Sequence, residues 1–396
     1  MKTTSMLLAG MAAAVALAVS PVQAQNNPIK VGALLSFSGG GVTSGASAFV
    51  GLRMKVKEMN DAGGLLGRQL VIVQGDDKTD PTAGVSEAIR LVTQEKVDFM
   101  IGPQFSQICI AATPTINQAG IAWISTCGAL QMNPTFAPRH FANLYTSEAQ
   151  AISMVNYANK IAKVKSVAIM TDNTTNSKDF VDIMTKEIAK TDMKLTGTQE
   201  YELNSTDMTP QWLSLRRGNP DLILFSAITA DGAGHAMKSK MEIGWDVRVV
   251  GSSVFGVLAP AIMRVAGPNA LKTALGLESK SYTYCTNDPV GQSSFSKFQA
   301  ELKKFEPANF EKLNYSNVIF MYDGMGLLAA ATKAVGSTDG TKIAAWLEEN
   351  VTKVPVVNGP LTATKTSHWM IGADLLVPVQ DLDQRRSDGL LKRAGC

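Results

Sequence analysis

The chain has 396 residues, 45% hydrophobic and 18% charged, which is long enough for two ordinary globular domains and too apolar for disorder. The formal charge is only +3 and the two signs are interspersed, so nothing in the pattern recruits nucleic acid. The histidines stand apart at His140, His235 and His368, and no CxxC, HExxH, GxSxG or paired-carboxylate motif accompanies them, so neither a metal nor a catalytic centre is read and no cofactor is implied.

Met1 to Ala24 reads as a secretory signal. Lys2 gives the positive start, Met6 to Val19 is an almost unbroken apolar run, and Val22-Gln23-Ala24 places small residues at a cleavage point, so the mature chain begins at Gln25. The run is shorter than the ~20 residues a membrane span needs. With no cysteine before Cys109 there is no thiol for a lipid anchor, and no later stretch reads as apolar enough to span a bilayer. A free periplasmic protein, monomeric and without membrane insertion after cleavage, is expected.

From Ile29 short β-branched runs alternate with amphipathic stretches, the pattern of parallel sheets covered by helices on both faces. Strands are expected at Ile29 to Leu35, Leu70 to Val73, Asp98 to Ile101 and Ile121 to Ser125. Between them lie helices at Gly45 to Asn60, after Asp80-Pro81, and at Cys109 to Gln118. A second series follows Tyr145. It has helices at Ala149 to Ile161, at Lys178 to Ala189, around Trp212 and near Ala236, and strands at Ser166 to Thr171, Lys194 to Tyr201, Asp221 to Phe225, Val247 to Val250 and Gly276 to Tyr284. Ser316 to Ala334 is apolar almost all round and is expected as a buried helix. The fold class is therefore α/β, with two Rossmann-like lobes built on parallel sheets.

Small polar turns fall at the carboxyl ends of these strands, where open α/β sheets bind ligands. In the first lobe they are Ser36 to Gly41 with Phe37 and Ser38, then Gln104 to Gln107 with Ser106, then Ser125 to Gly128 with Cys127. The glycine turn is a partial GxGxxG, with Gly39, Gly41 and Ser44 in the three places, and reads either as a plain strand-to-helix turn or as a carboxylate-binding one. In the second lobe the equivalents are Thr171 to Asn176 with Asn173 and Thr175, Ser226 to Asp231, and Ser252 to Phe255. These are neutral donors without a general base. His140 reads as structural. Of the four cysteines, Cys109 with Cys127 is the pair worth testing for a bridge; buried or unpaired thiols are expected for most.

Asn60-Asp61-Ala62-Gly63-Gly64-Leu65-Leu66-Gly67-Arg68, Asp76-Asp77, Asp80-Pro81 and Ile101-Gly102-Pro103, in this order after a signal, resemble the leucine/isoleucine/valine-binding proteins and their relatives among type I periplasmic solute receptors. The resemblance covers essentially the whole mature chain. It implies a non-enzymatic clamp whose lobes are joined by three hinge crossings, which closes on a small molecule and docks on an ABC permease. The implied N-terminal lobe is 28–146 plus 287–357, and the C-terminal lobe 147–286 plus 358–396.

The family's ligand turns fall on Phe37, Ser38, Ser106, Gln107, Cys127, Gly128, Ala129, Asn173, Thr175, Asn176, Thr229, Ser253, Phe255 and a position near Tyr322, and Ser125 joins them as a candidate from its place at the end of the fourth strand. The sequence departs from that pattern in three places: the turn that carries an acidic partner for an amino-acid ammonium reads Gly251-Ser252-Ser253-Val254-Phe255 here, Asn176 stands where a tyrosine is usual, and Ala129 where a hydroxyl is usual. A buried ammonium without a carboxylate loses solvation uncompensated. The expected ligand is therefore an organic carboxylate, aromatic ones included, with a branched-chain or other amino acid as the alternative if Asp231 supplies the charge. A sensory receptor using the same clamp is a further alternative, and a hydrolase is the least favoured.

Overall fold

The computed structural model describes residues 27–396, apart from the side chains of Thr175 and Asn176. The signal expected over Met1 to Ala24 lies outside the described residues. In chain order the first half runs β1 (Ile29–Leu35), α1 (Val42–Asp61), β2 (Leu70–Asp76), α2 (Pro81–Ile89), β3 (Phe99–Ile101), α3 (Ser106–Ala119), β4 (Ala122–Ser125), β5 (His140–Tyr145), α4 (Ser147–Asn156), β6 (Ser166–Asp172), α5 (Thr175–Ile188) and β7 (Lys194–Tyr201). It continues with α6 (Thr209–Arg217), β8 (Leu222–Ser226), α7 (Ala230–Glu242), β9 (Arg248–Gly251), α8 (Ser253–Val257), α9 (Ala259–Ala266), β10 (Ala274–Ser279) and β11 (Thr283–Tyr284). The chain closes with α10 (Ser294–Phe305), α11 (Tyr315–Val335), α12 (Gly340–Asn350), β12 (Trp369–Ile371), β13 (Leu376–Gln380) and β14 (Leu391–Arg393).

The strands form two sheets, six in the order β12-β5-β4-β3-β1-β2 and eight in the order β11-β14-β13-β10-β9-β8-β6-β7. Every pairing in the first is parallel. In the second, β13 is antiparallel to both β10 and β14. β1 is apolar apart from Lys30 because both its faces are covered: Ile29, Val31, Ala33 and Leu35 pack toward α1 and α11, while Leu34 packs toward α2 and α3. α2 starts where sequence placed it, the Asp80 carboxylate accepting from the Ala83 amide at 2.8 Å with Pro81 in the first turn.

The chain passes between the sheets after β5, after β11 and after β12. The last passage corrects the expected boundary at 357/358. Trp369 and Ile371 pair with Ala142 and Tyr145 of β5, so the return to the second sheet follows Ile371.

α11 also corrects an expectation, since its length and hydropathy alone would suffice to cross a membrane. It is instead the core helix of the first lobe, with Val318, Ile319, Met321, Met325, Leu327 and Leu328 all fully buried. Asp323 sits in its middle and takes the Val357 and Asn358 amides at 2.9 Å each, fixing the stretch beyond α12 against the lobe.

Two disulfides are formed, Cys109–Cys127 and Cys285–Cys396. The second overturns the expectation of unpaired thiols, for it brings the last residue of the chain to the end of β11.

Candidate functional site

The glycine turn after β1 is spoken for by the protein itself. Asp76 at the end of β2 accepts from the Phe37 amide at 2.9 Å, the Ser38 amide at 3.1 Å and the Ser38 hydroxyl at 2.6 Å. Partial burial raises the Asp76 pKa, but these donors and the Lys78 amide outweigh it and leave it below the ordinary value. The turn is thus a carboxylate-binding turn whose carboxylate is internal. Phe37 packs edge-on against Phe49 at 5.1 Å.

The other first-lobe turns do converge. Ser106, Gln107, Gly128 and Ala129 line an open cleft of about 550 Å³ together with Phe105, Tyr145, Ser147, Gln150 and, from the second sheet, Ser253. α3 and α4 both begin here, and no side chain caps the start of α3. Its first amides therefore have no side-chain capping partner. The Ser106 hydroxyl accepts from the Ala129 amide at 3.3 Å, tying two turns into one wall, and Gln150 accepts from the Ser253 amide at 2.9 Å, bridging the sheets. No acidic or basic side chain is in this lining.

Several expected contacts are corrected by burial. Ser125 is fully buried and bonds His140 Nε2 at 2.6 Å. Cys127 is fully buried in its disulfide, and Phe255 packs on Phe225 at 5.2 Å within the second core. Tyr322 turns away from the cleft, its hydroxyl on Glu58 at 2.7 Å and its ring on Phe298 at 4.8 Å. The Ser125–His140 pair is no catalytic dyad: burial first, and then the nearby His368, push the His140 pKa down to about 3, so the imidazole is neutral and sealed.

The second-lobe turns brace one another and stand outside the cleft lining. Buried Asp172 holds the Thr174 hydroxyl at 2.6 Å and the Ile228 amide at 3.1 Å. The Asn173 amide group binds Glu202, and Thr229 caps α7 by accepting from Gly232 at 3.1 Å. Thr175 and Asn176 open α5, and Asp231 is exposed in the first turn of α7.

Behind Tyr145, where the chain crosses between sheets, β10 carries Glu278, which is 3% exposed. Burial pushes its pKa up to about 7, against the Ser279 amide that it accepts at 2.8 Å and the more distant Arg385. A carboxyl whose folded pKa lies above its unfolded value binds an extra proton in the native state, so stability rises as pH falls between the two values. Glu278→Gln is therefore expected to be more stable than the parent by about 2–3 kcal/mol at pH 8 and equal to it near pH 5. Chemical denaturation at the two pH values measures this; an equal difference at both removes the titration from the account.

Leu144, Tyr145, Ser147 and Gln150 are the cleft residues that sequence reasoning missed. The signal was present, since three strand ends of this sheet carried polar turns and the parallel strand ending at Tyr145 had to end at the same edge.

Comparison with known proteins agrees with this geometry. A family described as periplasmic binding protein matches residues 28–383. Among curated relatives, an amino acid binding protein of Pseudomonas aeruginosa is 24% identical over 347 residues, covering 85% of this chain and 87% of that one. Leu/Ile/Val-binding protein homolog 1 of Brucella suis is 26% identical over 326 residues, covering 81% and 82%. Among solved structures, the branched-chain amino acid transporter substrate-binding protein LivJ of Streptococcus pneumoniae, in complex with isoleucine, superposes with a TM-score of 0.70 at 19% identity over 92% of this chain and 98% of that one. A solute-binding protein of a Rhodopseudomonas palustris ABC transporter, in complex with 4-hydroxybenzoate, gives 0.72 at 17% identity over 93% and 96%. Two α/β lobes with an uncharged cleft at their strand ends, and a family match along nearly all the described chain, leave one assignment: the chain belongs to the periplasmic binding protein family of solute receptors.

Proposed function

We propose that this receptor captures a small organic carboxylate, aromatic ones included, and delivers it to an ABC permease in the inner membrane. The observation that carries the reading is a cleft without charged side chains into which the uncapped start of α3 points. Such a helix start offers amides and a partial positive charge to an anion, while Phe105 and Tyr145 supply flat apolar surface for a ring. An amino acid would bring an ammonium that meets no carboxylate in this lining.

The turns at Asn173 to Asn176 and at Ile228-Thr229 complete the site when the lobes close, since the ligand favours the closed state by touching both. Export through the signal, with a mature amino terminus at Gln25, places the protein in the periplasm as a monomer.

A thermal-shift screen of aromatic and aliphatic carboxylates against amino acids tests the ligand class. Ligand at 100-fold its Kd adds ~2.7 kcal/mol to the folded state, a shift of several degrees. Carboxylates such as 4-hydroxybenzoate are expected to give it; a shift with leucine or valine and none with carboxylates overturns the reading.

A further inference from the structure

A second cavity, of about 190 Å³, opens at the hinge and shares no lining residue with the cleft. Val257 and Glu278 reach it from the side of the second sheet and Asn314 and Tyr315 from the start of α11 beside the first, and Tyr282 and Arg385 are also in its wall. Tyr282 is 2% exposed, and its hydroxyl has no hydrogen-bond partner among the described residues. Glu278 has one amide on its carboxyl and no cation within ion-pair distance among the described residues.

A buried carboxyl and a buried phenol, both short of partners, are costly where an apolar pair would pack as well. They are complementary, however, to one chemical group. An ammonium offers three N–H donors and a positive charge, satisfying the carboxylate and the phenol oxygen together. We propose that the hinge cavity is a binding site, distinct from the cleft, for a small solute held through its ammonium group, with Glu278 as counter-charge and the Tyr282 hydroxyl as second acceptor.

The remaining charged and titratable groups around Glu278 define the rest of the solute. Tyr145 and Tyr282 both feel the charge of Glu278, and Tyr282 also feels that of Asp323. Arg385 is exposed at the rim, its Nη1 donating to the Gly389 carbonyl at 2.9 Å, and the start of α11 adds a positive helix end. A carboxylate elsewhere on the same solute is thus tolerated, so simple amines and zwitterions both fit. The volume is below the ~300 Å³ where drug-sized pockets begin, which limits the solute to a handful of heavy atoms. Because elements of both lobes line the cavity, filling it biases the hinge.

Titration calorimetry on the full mature chain at pH 8 with n-propylammonium chloride, β-alanine and sodium propionate tests this. Saturable binding of either ammonium probe, absent for propionate, is expected, with Glu278→Gln weakening it at least about tenfold. Tyr282→Phe removes only an unpartnered hydroxyl, keeps the wall, and is expected to weaken the same probe by roughly threefold. Ser106→Trp, which fills the cleft, leaves this binding unchanged. At pH 7, two buffers of different ionisation enthalpy should reveal proton release on binding that Glu278→Gln abolishes. No binding of either ammonium probe, equal binding of propionate, unchanged affinity in Glu278→Gln, or loss in Ser106→Trp overturns the proposal.

Discussion

Gly51→Ala is expected to destabilise the protein by at least ~3 kcal/mol, one of the largest effects available to adding a methyl group in this chain. Gly51 is buried in α1, and a Cβ built on it would stand 1.9 Å from the Val318 carbonyl oxygen and 2.8 Å from its carbon. The obstacle is backbone, so no rotamer change relieves it, and α1 and α11 must move apart. Their separation loosens the packing of Leu52 and Val56 with Met321, Met325 and Leu328, the centre of the first core. Helix propensity works the other way, favouring alanine over glycine by ~1 kcal/mol, and does not offset the loss. Gly326→Ala is the control. Its Cβ meets only Lys55 Cε at 3.3 Å, the far end of a flexible chain, so propensity decides and stability stays within about 0.5 kcal/mol of the parent or rises. Thermal and urea melts of the two variants check the contrast; equal effects would remove the claim that α1 and α11 touch backbone to backbone.

The strands were legible where burial on both faces forces a β-branched run. Ile29 to Leu35 is such a strand and is found at the residues expected; Lys194 to Tyr201 is also found where expected, although β7 is a largely exposed sheet edge. Leu70 to Val73 falls short because β2 is the sheet edge and continues through Gln74-Gly75 to Asp76, polar residues that an edge strand accommodates. β12 left no trace in periodicity. It is three residues long, and only pairing with a strand more than two hundred positions earlier defines it, which no local pattern can encode.

The cleft was legible as strand-end turns but not as side-chain directions. Ser106, Gln107, Gly128, Ala129 and Ser253 come together, yet Ser125, the last residue of β4, points inward because its strand is buried on both faces. The internal carboxylate at Asp76 was equally out of reach. Its role depends on β2 pairing beside β1, which sets Asp76 opposite Leu35 and so beneath the turn that an outside anion would otherwise enter.

Removing the Cys285–Cys396 bridge is expected to cost about 3–4 kcal/mol, lowering the melting temperature by roughly 5 °C. The two residues are 111 positions apart, so the bridge closes a long loop in the unfolded chain, and opening it returns the entropy that the loop had lost. In the folded chain it secures β14, only three residues long, which lies between β11 and β13 and seats Leu391 in the second core. A strand of only three residues frays readily without a tether. Cys285→Ser with Cys396→Ser should show the full loss. Mild reductant on the parent should reproduce it, because Cys396 is exposed while Cys109 and Cys127 are fully buried and resist reduction. If instead the double variant melts with the parent while hydrogen exchange rises only over 390–396, the second lobe does not depend on its last strand, and the bridge acts locally.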